Sequence, residues 1–401
     1  MDTPAYNKML RPDRWQISVR FFAVSCLLTF LLRVYLCRLG SNFDYDSFNL
    51  VGDLMVKGKN VYASTDRYNY APVWMWVLYF LKLVSGSHFR YGLSAFISLV
   101  DVAIAGVLFQ SGNRMAALLI LFSPVCIIIS GFHCQFDNLA ILIGLVAVRY
   151  AETRKSYKVA GLAGLNTREI MILAFIVGFS ITTKHVLIFF PFWFLFIRDI
   201  KFFRRILLCG LPLAVFMLSF LPYLSAWHDI KENVFKYGSS GNLVFYHLFL
   251  PDALNSVLLF ISLKLYKLIF IFLMIFSGYF LRSRVFMEQL LFYCAFMVLF
   301  SCSLYTHYLI IPMLFFAYFP NRFWIWYNLV GLFFFLIQHD QFNYASKLYQ
   351  VLPRTSDFIE LYTYYPLVFI LFLAVVNVCR PDLLSRRSLK RAAGFIYRSK
   401  I

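Results

Sequence analysis

From Phe21 onward the chain is a succession of apolar runs cut by short loops rich in Lys and Arg. That alternation leaves few folds open. The chain has 401 residues, 61% of them hydrophobic and only 14% charged, which is more apolar surface than a water-soluble domain can hide. The pattern predicts an all-α polytopic membrane protein forming a single integral domain over residues 1–401. Aromatics make up 20% of the chain, and many Tyr and Trp fall near the ends of apolar runs, as an interfacial belt requires. A net charge of +19 raises nucleic acid as a partner. The basic residues instead sit in short loops between spans, the positive-inside pattern, so no nucleic acid is expected. The eight Cys are scattered, mostly in apolar runs, without a CxxC spacing, and read as small core residues. The polar N-terminal stretch shows no cleavable signal peptide.

The first span is placed at Phe21–Leu36. Lys8, Arg11 and Arg14 precede it and assign the N-terminus to the cytoplasm, together with Arg114, Arg149–Arg168, Arg198–Arg205, Arg282–Arg284, Arg322 and the basic tail 380–401. Parity then constrains the rest. Gly131–Asn138 precedes a span ending at Arg149, so it lies outside, as Asp44 does. Of the three intervening runs, Leu93–Phe109 and Met115–Ser130 cross, while Val73–Leu83 is too short. Val73–Leu83 is therefore expected as an interfacial or re-entrant helix within a first external loop spanning residues 38–91. Alternation through the remaining runs gives about 12 transmembrane helices. Two short runs, Ile170–Thr182 and Val186–Ile197, flank Thr183-Lys184-His185 and predict broken helices around a cavity. Longer external loops are expected at Ser225–Asn255 and His339–Tyr362. The tail after Arg380 reads either as an anchor on anionic membrane lipid or as a solvated end.

Ionisable groups in such a chain mark chemistry or transport. Residues 45–58 have helical spacing, with Phe48, Val51, Leu54 and Met55 on one face and Gly58 as the stop. Asp44 and Asp46 fall at the start of that helix, as helix caps or as an acidic site. Asp66 is a third acid, shortly before Tyr70-Ala71-Pro72. The stretch Gly131–Asn138 offers His133, Gln135, Asp137 and Asn138, which either line an external cavity or form a polar turn with a helix cap. Lys184 and His185 interrupt apolar sequence and suit an anion such as phosphate, with snorkelling as the plain alternative for the lysine. Thr306-His307-Tyr308 lies at another outer span end. Lys264 and Lys267 are read as snorkelling.

These motifs resemble those of the GT-C membrane glycosyltransferases, which use polyprenyl- or dolichyl-phosphate sugars. Asp44-Tyr45-Asp46 stands where that family carries acids after the first span, and Tyr70-Ala71-Pro72 resembles its Tyr-Pro-Pro-like element. Gly131–Asn138 is similar to the His-Phe-Gln-Tyr-Asn motif of lipid-linked-oligosaccharide glucosyltransferases and to the Gly-Gln-Phe-Asp segment of bacterial relatives. His307-Tyr308 resembles a late His-Glu-Lys or His-Glu-Arg-Tyr motif. The loop Gly58–Pro72 looks like bacterial proteins related to the GPI mannosyltransferases. Two departures stand out: no Asp immediately precedes Tyr70, and Tyr308 replaces the usual Glu.

The resemblance implies inverting transfer of a hexose, mannose before glucose, from the lipid phosphate to a glycan or glycolipid acceptor on the external or luminal face. It implies Asp44 as the base, then Asp46, then Asp66. Lys184, His185, His307 and Tyr308 would bind the donor phosphate, and His133, Gln135, Asp137, Asn138 and Tyr70 the sugar or acceptor. No cofactor is required on this reading, although Asp44 and Asp46 together could hold Mg²⁺ or Mn²⁺. Either a bacterial plasma membrane or an endoplasmic reticulum membrane fits. The rival class is a transporter or flippase for an anionic lipid or solute, which broken helices and a Lys-His pair would also suit. A non-catalytic subunit of a glycan-assembly complex is a third reading.

Overall fold

A computed structural model describes residues 17–40, 42–154, 162–236, 256–301, 305–338 and 365–380. All regular structure among them is helical. Lys8, Arg11, Arg14, most of the expected 225–255 loop, all of His339–Tyr362 and the tail beyond Arg380 lie outside the described residues.

The first helices build the end of the molecule that matters here. Helix α1 (Val19–Leu36) starts at Ser18, whose hydroxyl accepts the Phe21 N–H. Helix α2 (Phe43–Val56) is capped by Asn42 and stops at Gly58 (φ +64). There the Lys59 N–H reaches Leu54 C=O and the Gly58 N–H reaches Met55 C=O, a Schellman closure that needs the left-handed glycine. Helix α3 (Pro72–Ser85) is joined through a 3₁₀ turn at Gly86–His88 to α4 (Phe89–Gln110). A kinked pair follows, α5 (Arg114–Leu121) and α6 (Pro124–Gly131), bent by 53°. Pro124 suits the first position of α6 because its missing N–H would be unsatisfied there anyway. Helix α7 (Asp137–Thr153) leads towards α8 (Thr167–Thr183), which opens on an Asn166/Glu169 capping box. After a broken stretch come α9 (Phe202–Leu218), α10 (Ser256–Leu281), α11 (Phe286–Leu299), α12 (Met313–Tyr318), α13 (Arg322–Gln338) and α14 (Tyr365–Cys379).

Among the described residues, two helical segments, Val19–Leu39 and Pro72–Gln110, could cross a membrane by length and composition, or up to four if each bent pair forms one span. Phe286–Leu299, Arg322–Leu336 and Tyr365–Cys379 are shorter apolar helices, in the range of 10–17 residues. Helix α1 is inverted relative to a helix in water. Leu27, Leu28 and Leu31 are exposed while Ser25, Thr29 and Arg33 are buried.

Helices α1 and α4 run antiparallel. Phe22 stacks on Phe109 at one end, and Arg114 Nη1 donates to Ile17 C=O beside them. At the other end the Ser94 hydroxyl donates to Gly131 C=O, and Gly131 lies against the Arg33 backbone so closely that a Cβ would sit 2.5 Å from Arg33 O. The α5–α6 pair returns the chain from the Arg114 end to the Gly131 end. Asp44 and residues 131–138 therefore share one end, with two traverses between them, as the parity argument expects. The run 73–83 is not an isolated helix, since it belongs to one long helical segment. Even so, α3 stays with α2: Trp74 packs on Phe48, and Lys82 pairs with Asp53 at 2.9 Å.

A buried ion pair ties this end together. Arg33 Nε donates to Asp101 Oδ2 at 3.2 Å with both side chains fully buried. The Ser130 hydroxyl (2.7 Å) and Asn138 Nδ2 (2.5 Å) complete the carboxylate's bonds. Arg33 also donates to the carbonyls of Thr29, Ile120 and Leu121. One cluster thus fixes α1, α4, α5, α6 and the first turn of α7. Asp101 thus has a buried cation partner.

Candidate functional site

The site starts with local helix chemistry. The N-cap of α2 is Asn42, whose side-chain carbonyl accepts the Tyr45 N–H at 2.8 Å. Asp44 and Asp46 are therefore not the cap. They occupy the first turn two residues apart, so they point to different sides of the helix. Asp44 is half-buried, and its Oδ2 accepts from Gln135 Nε2 at 2.6 Å. Asp46 is exposed and faces away, which corrects the paired-acid expectation and the metal site built on it. Among the described residues no group of three or more His, Cys, Asp or Glu is placed to hold a metal ion.

The turn 132–136 is held by neighbours and by one unusual backbone position. Cys134 has φ +53, a left-handed conformation that non-glycine residues rarely adopt. His133 Nδ1 bonds Asn42 Nδ2 at 3.1 Å, which joins this turn to the cap of α2. His133 is a brace and does not line the cavity. Gln135 is fully buried between Asp44 and Lys184 and also stays behind the cavity wall. Asn138 belongs to the Asp101 cluster. Three residues expected to touch sugar or acceptor thus hold the frame instead: His133 bonds Asn42, Gln135 bonds Asp44 and Lys184, and Asn138 bonds Asp101.

Lys184 follows the last residue of α8 in an extended conformation (φ −150, ψ 133). The helix breaks where the two short apolar runs predict, with a 3₁₀ turn at His185–Leu187 and a short helix Phe190–Trp193. The Ser180 hydroxyl donates to Ala140 C=O at 2.7 Å and anchors the end of α8 on α7. Lys184 Nζ then reaches Asp137 Oδ2 at 2.7 Å and Gln135 Oε1 at 3.4 Å, and lies 4.4 Å above the Phe136 ring. Phe136 is stacked flat on Trp74 at 3.7 Å. Tyr70 packs edge-on to Phe136 and parallel to the His185 ring. The result is a polar chain, Asp137–Lys184–Gln135–Asp44, walled by aromatic rings.

This chain borders a cavity of about 670 Å³. Asp44, Asp66, Tyr70 and Asp137 line it, as do Lys184, His185, His307 and Tyr308. Eight of the twelve candidate residues are thereby brought to one space, from segments hundreds of residues apart. Thr306, noted with His307-Tyr308, also lines it, as do Arg67 and Tyr305, which sequence reasoning missed. Tyr305 directly precedes Thr306, and Arg67 sits between Asp66 and Tyr70, so proximity to those motifs was the available signal. The Asp44 carboxyl is pushed up from its usual range by burial; Lys184 opposes that push, Asp137 adds to it, and the Gln135 bond and Arg67 oppose it.

The chain has no match among known protein families, curated proteins or solved structures.

Proposed function

We propose that the protein is a polytopic membrane glycosyltransferase of GT-C type, with about 12 spans. It would move a hexose, mannose favoured over glucose, from a polyprenyl- or dolichyl-phosphate donor to a glycan or glycolipid acceptor. The observation that carries the reading is the meeting of one half-buried carboxylate, Asp44, with N–H donors from Arg67, Lys184 and His307 in a single cavity of donor-headgroup size. The inverted α1 supports a membrane setting, because its outward Leu and Phe side chains would be costly in water.

The chemistry needs few groups. The acceptor hydroxyl attacks the anomeric carbon as the C1–O bond to phosphate breaks, inverting that centre. Asp44 takes the acceptor proton, and the phosphate leaves with the bonding electron pair as lipid phosphate. Donors on the cavity wall stabilise the charge that develops on it. Asp44 is prepared for this by Gln135, which holds Oδ2 and fixes the carboxylate's orientation. Asp137 has a buried Oδ1 without a hydrogen-bond partner and lines the cavity, so it can accept from a sugar hydroxyl. The transporter reading is less well served. Arg33–Asp101, an ion pair with both side chains fully buried, is locked by Ser130 and Asn138 and lies away from the cavity.

The test is transfer of radiolabelled sugar from polyprenyl-phosphate mannose and polyprenyl-phosphate glucose to a glycolipid extract, with purified protein in lipid. Transfer from one donor, lost in Asp44→Asn, is the expected result. Failure with both donors across a defined acceptor panel, alongside measurable lipid or solute flux, would overturn the transferase reading.

A further inference from the structure

The cavity is lined by two basic side chains, Lys184 and Arg67, in very different surroundings. Lys184 is almost fully buried and bonded to the Asp137 carboxylate, so its charge is already balanced. Arg67 has no carboxylate within ion-pair distance among the described residues. Its guanidinium lies 4.1 Å over the Phe43 ring, and Nη2 donates to Phe43 C=O at 3.1 Å. Nε is buried without an acceptor. Most of its N–H donors thus have no protein partner. An arginine half-buried against an aromatic ring with an orphaned donor is costly unless an anion completes it. Arg90 also carries buried nitrogens without partners, but it stands outside the cavity.

We propose that Arg67 is the phosphate-gripping residue of this cavity, and that Lys184 is a structural cation which neutralises Asp137 and orients Gln135. The ligand group is a phosphate ester with at least two unshared oxygens, which the planar guanidinium can hold in a fork. The backbone prepares the residue. The Arg67 N–H is bonded to Thr65 Oγ1 at 3.1 Å, and the Phe43 contacts fix the guanidinium one position before Asp44 in the chain. A phosphate held there lies in the same space as the Asp44 carboxylate and strengthens that base by its negative charge. The identity of the ligand as a lipid phosphate rests on the proposed transferase function, whereas the anion-binding role of Arg67 does not.

Binding of polyprenyl phosphate and of inorganic phosphate would be measured separately on the full chain in nanodiscs of neutral lipid. The proteins would be wild type, Arg67→Gln, Arg67→Lys and Lys57→Ala, the last an exposed control at the far end of α2. The expected result is polyprenyl phosphate binding weakened by about tenfold or more in Arg67→Gln, partly restored in Arg67→Lys and unchanged in Lys57→Ala. Each variant's thermal midpoint without phosphate checks folding, and if Arg67→Gln does not fold, Arg67→Lys alone must show weakened binding. Wild-type affinity in the Arg67 variants would overturn the assignment while leaving the transferase reading intact. An equal loss in Lys57→Ala would overturn it in favour of general surface charge. Arg67-dependent binding of inorganic phosphate without binding of polyprenyl phosphate would support Arg67 and remove the lipid donor. No phosphate binding by wild type would overturn both.

Discussion

At the scale of single residues, the decisive contrast is Asp44 against Asp46. Two positions along a helix separate a carboxylate in the cavity from one in the open. Asp44→Asn should lower sugar transfer by about 10²-fold or more, the usual worth of a general base, whereas Asp46→Asn should stay near wild type. Equal losses in the two variants would dismiss this assignment. The direction of the Asp44 shift also fixes a pH dependence. Burial raises its proton affinity, so the acid limb of transfer should lie above the ordinary aspartate value of about 4. For stability the sign is the reverse: protonation of Asp44 favours the folded chain. That contribution is full below the unfolded value and is lost as pH rises through the raised one. Transfer followed against pH, with the thermal midpoint alongside, reads both. Little of this was legible in sequence. The acids could be found by their placement after an apolar run, but which of them is buried depends on the register of α2 against the turn 132–136.

At the scale of elements, the Arg33–Asp101 pair is the joint on which α1, α4, α5, α6 and α7 meet. Removing one partner leaves a buried charge uncompensated, at a cost of about 3–5 kcal/mol. Asp101→Asn should therefore lower the thermal midpoint strongly, and Arg33→Met with Asp101→Leu should recover much of that loss. A double variant as weak as the single one would mean that the hydrogen bonds to Ser130 and Asn138 matter more than the charge. Gly131→Ala should be harmful for a different reason, since its Cβ would press on the Arg33 backbone. Gly58→Ala should cost about 1 kcal/mol through the left-handed stop of α2, without altering the cavity. The stop at Gly58 and the break at Lys184 could be read directly, because glycine chemistry and run length act locally. The Arg33–Asp101 contact could not, since the two residues are 68 positions apart.

At the scale of the molecule, one end carries Asp44 and the cavity, and the opposite end carries Arg114 and the start of α1. A cysteine placed at Lys57 should be labelled by an impermeant maleimide from the side opposite to one placed at Arg114, in sealed vesicles of known orientation. Labelling of both from one side would refute the two-traverse path. The sequence by itself determined the helical character and the alternation that puts Asp44 and residues 131–138 at one end. Those follow from hydropathy, run length and charge, which each segment carries alone. Only the tertiary structure decided that Gln135 joins Asp44 to the Lys184–Asp137 pair, that His133 and Asn138 are braces, and that Arg67 faces the cavity without a counter-charge. Those roles depend on which polar atoms are consumed by neighbours distant in the chain, and one-dimensional order does not encode that until the helices pack.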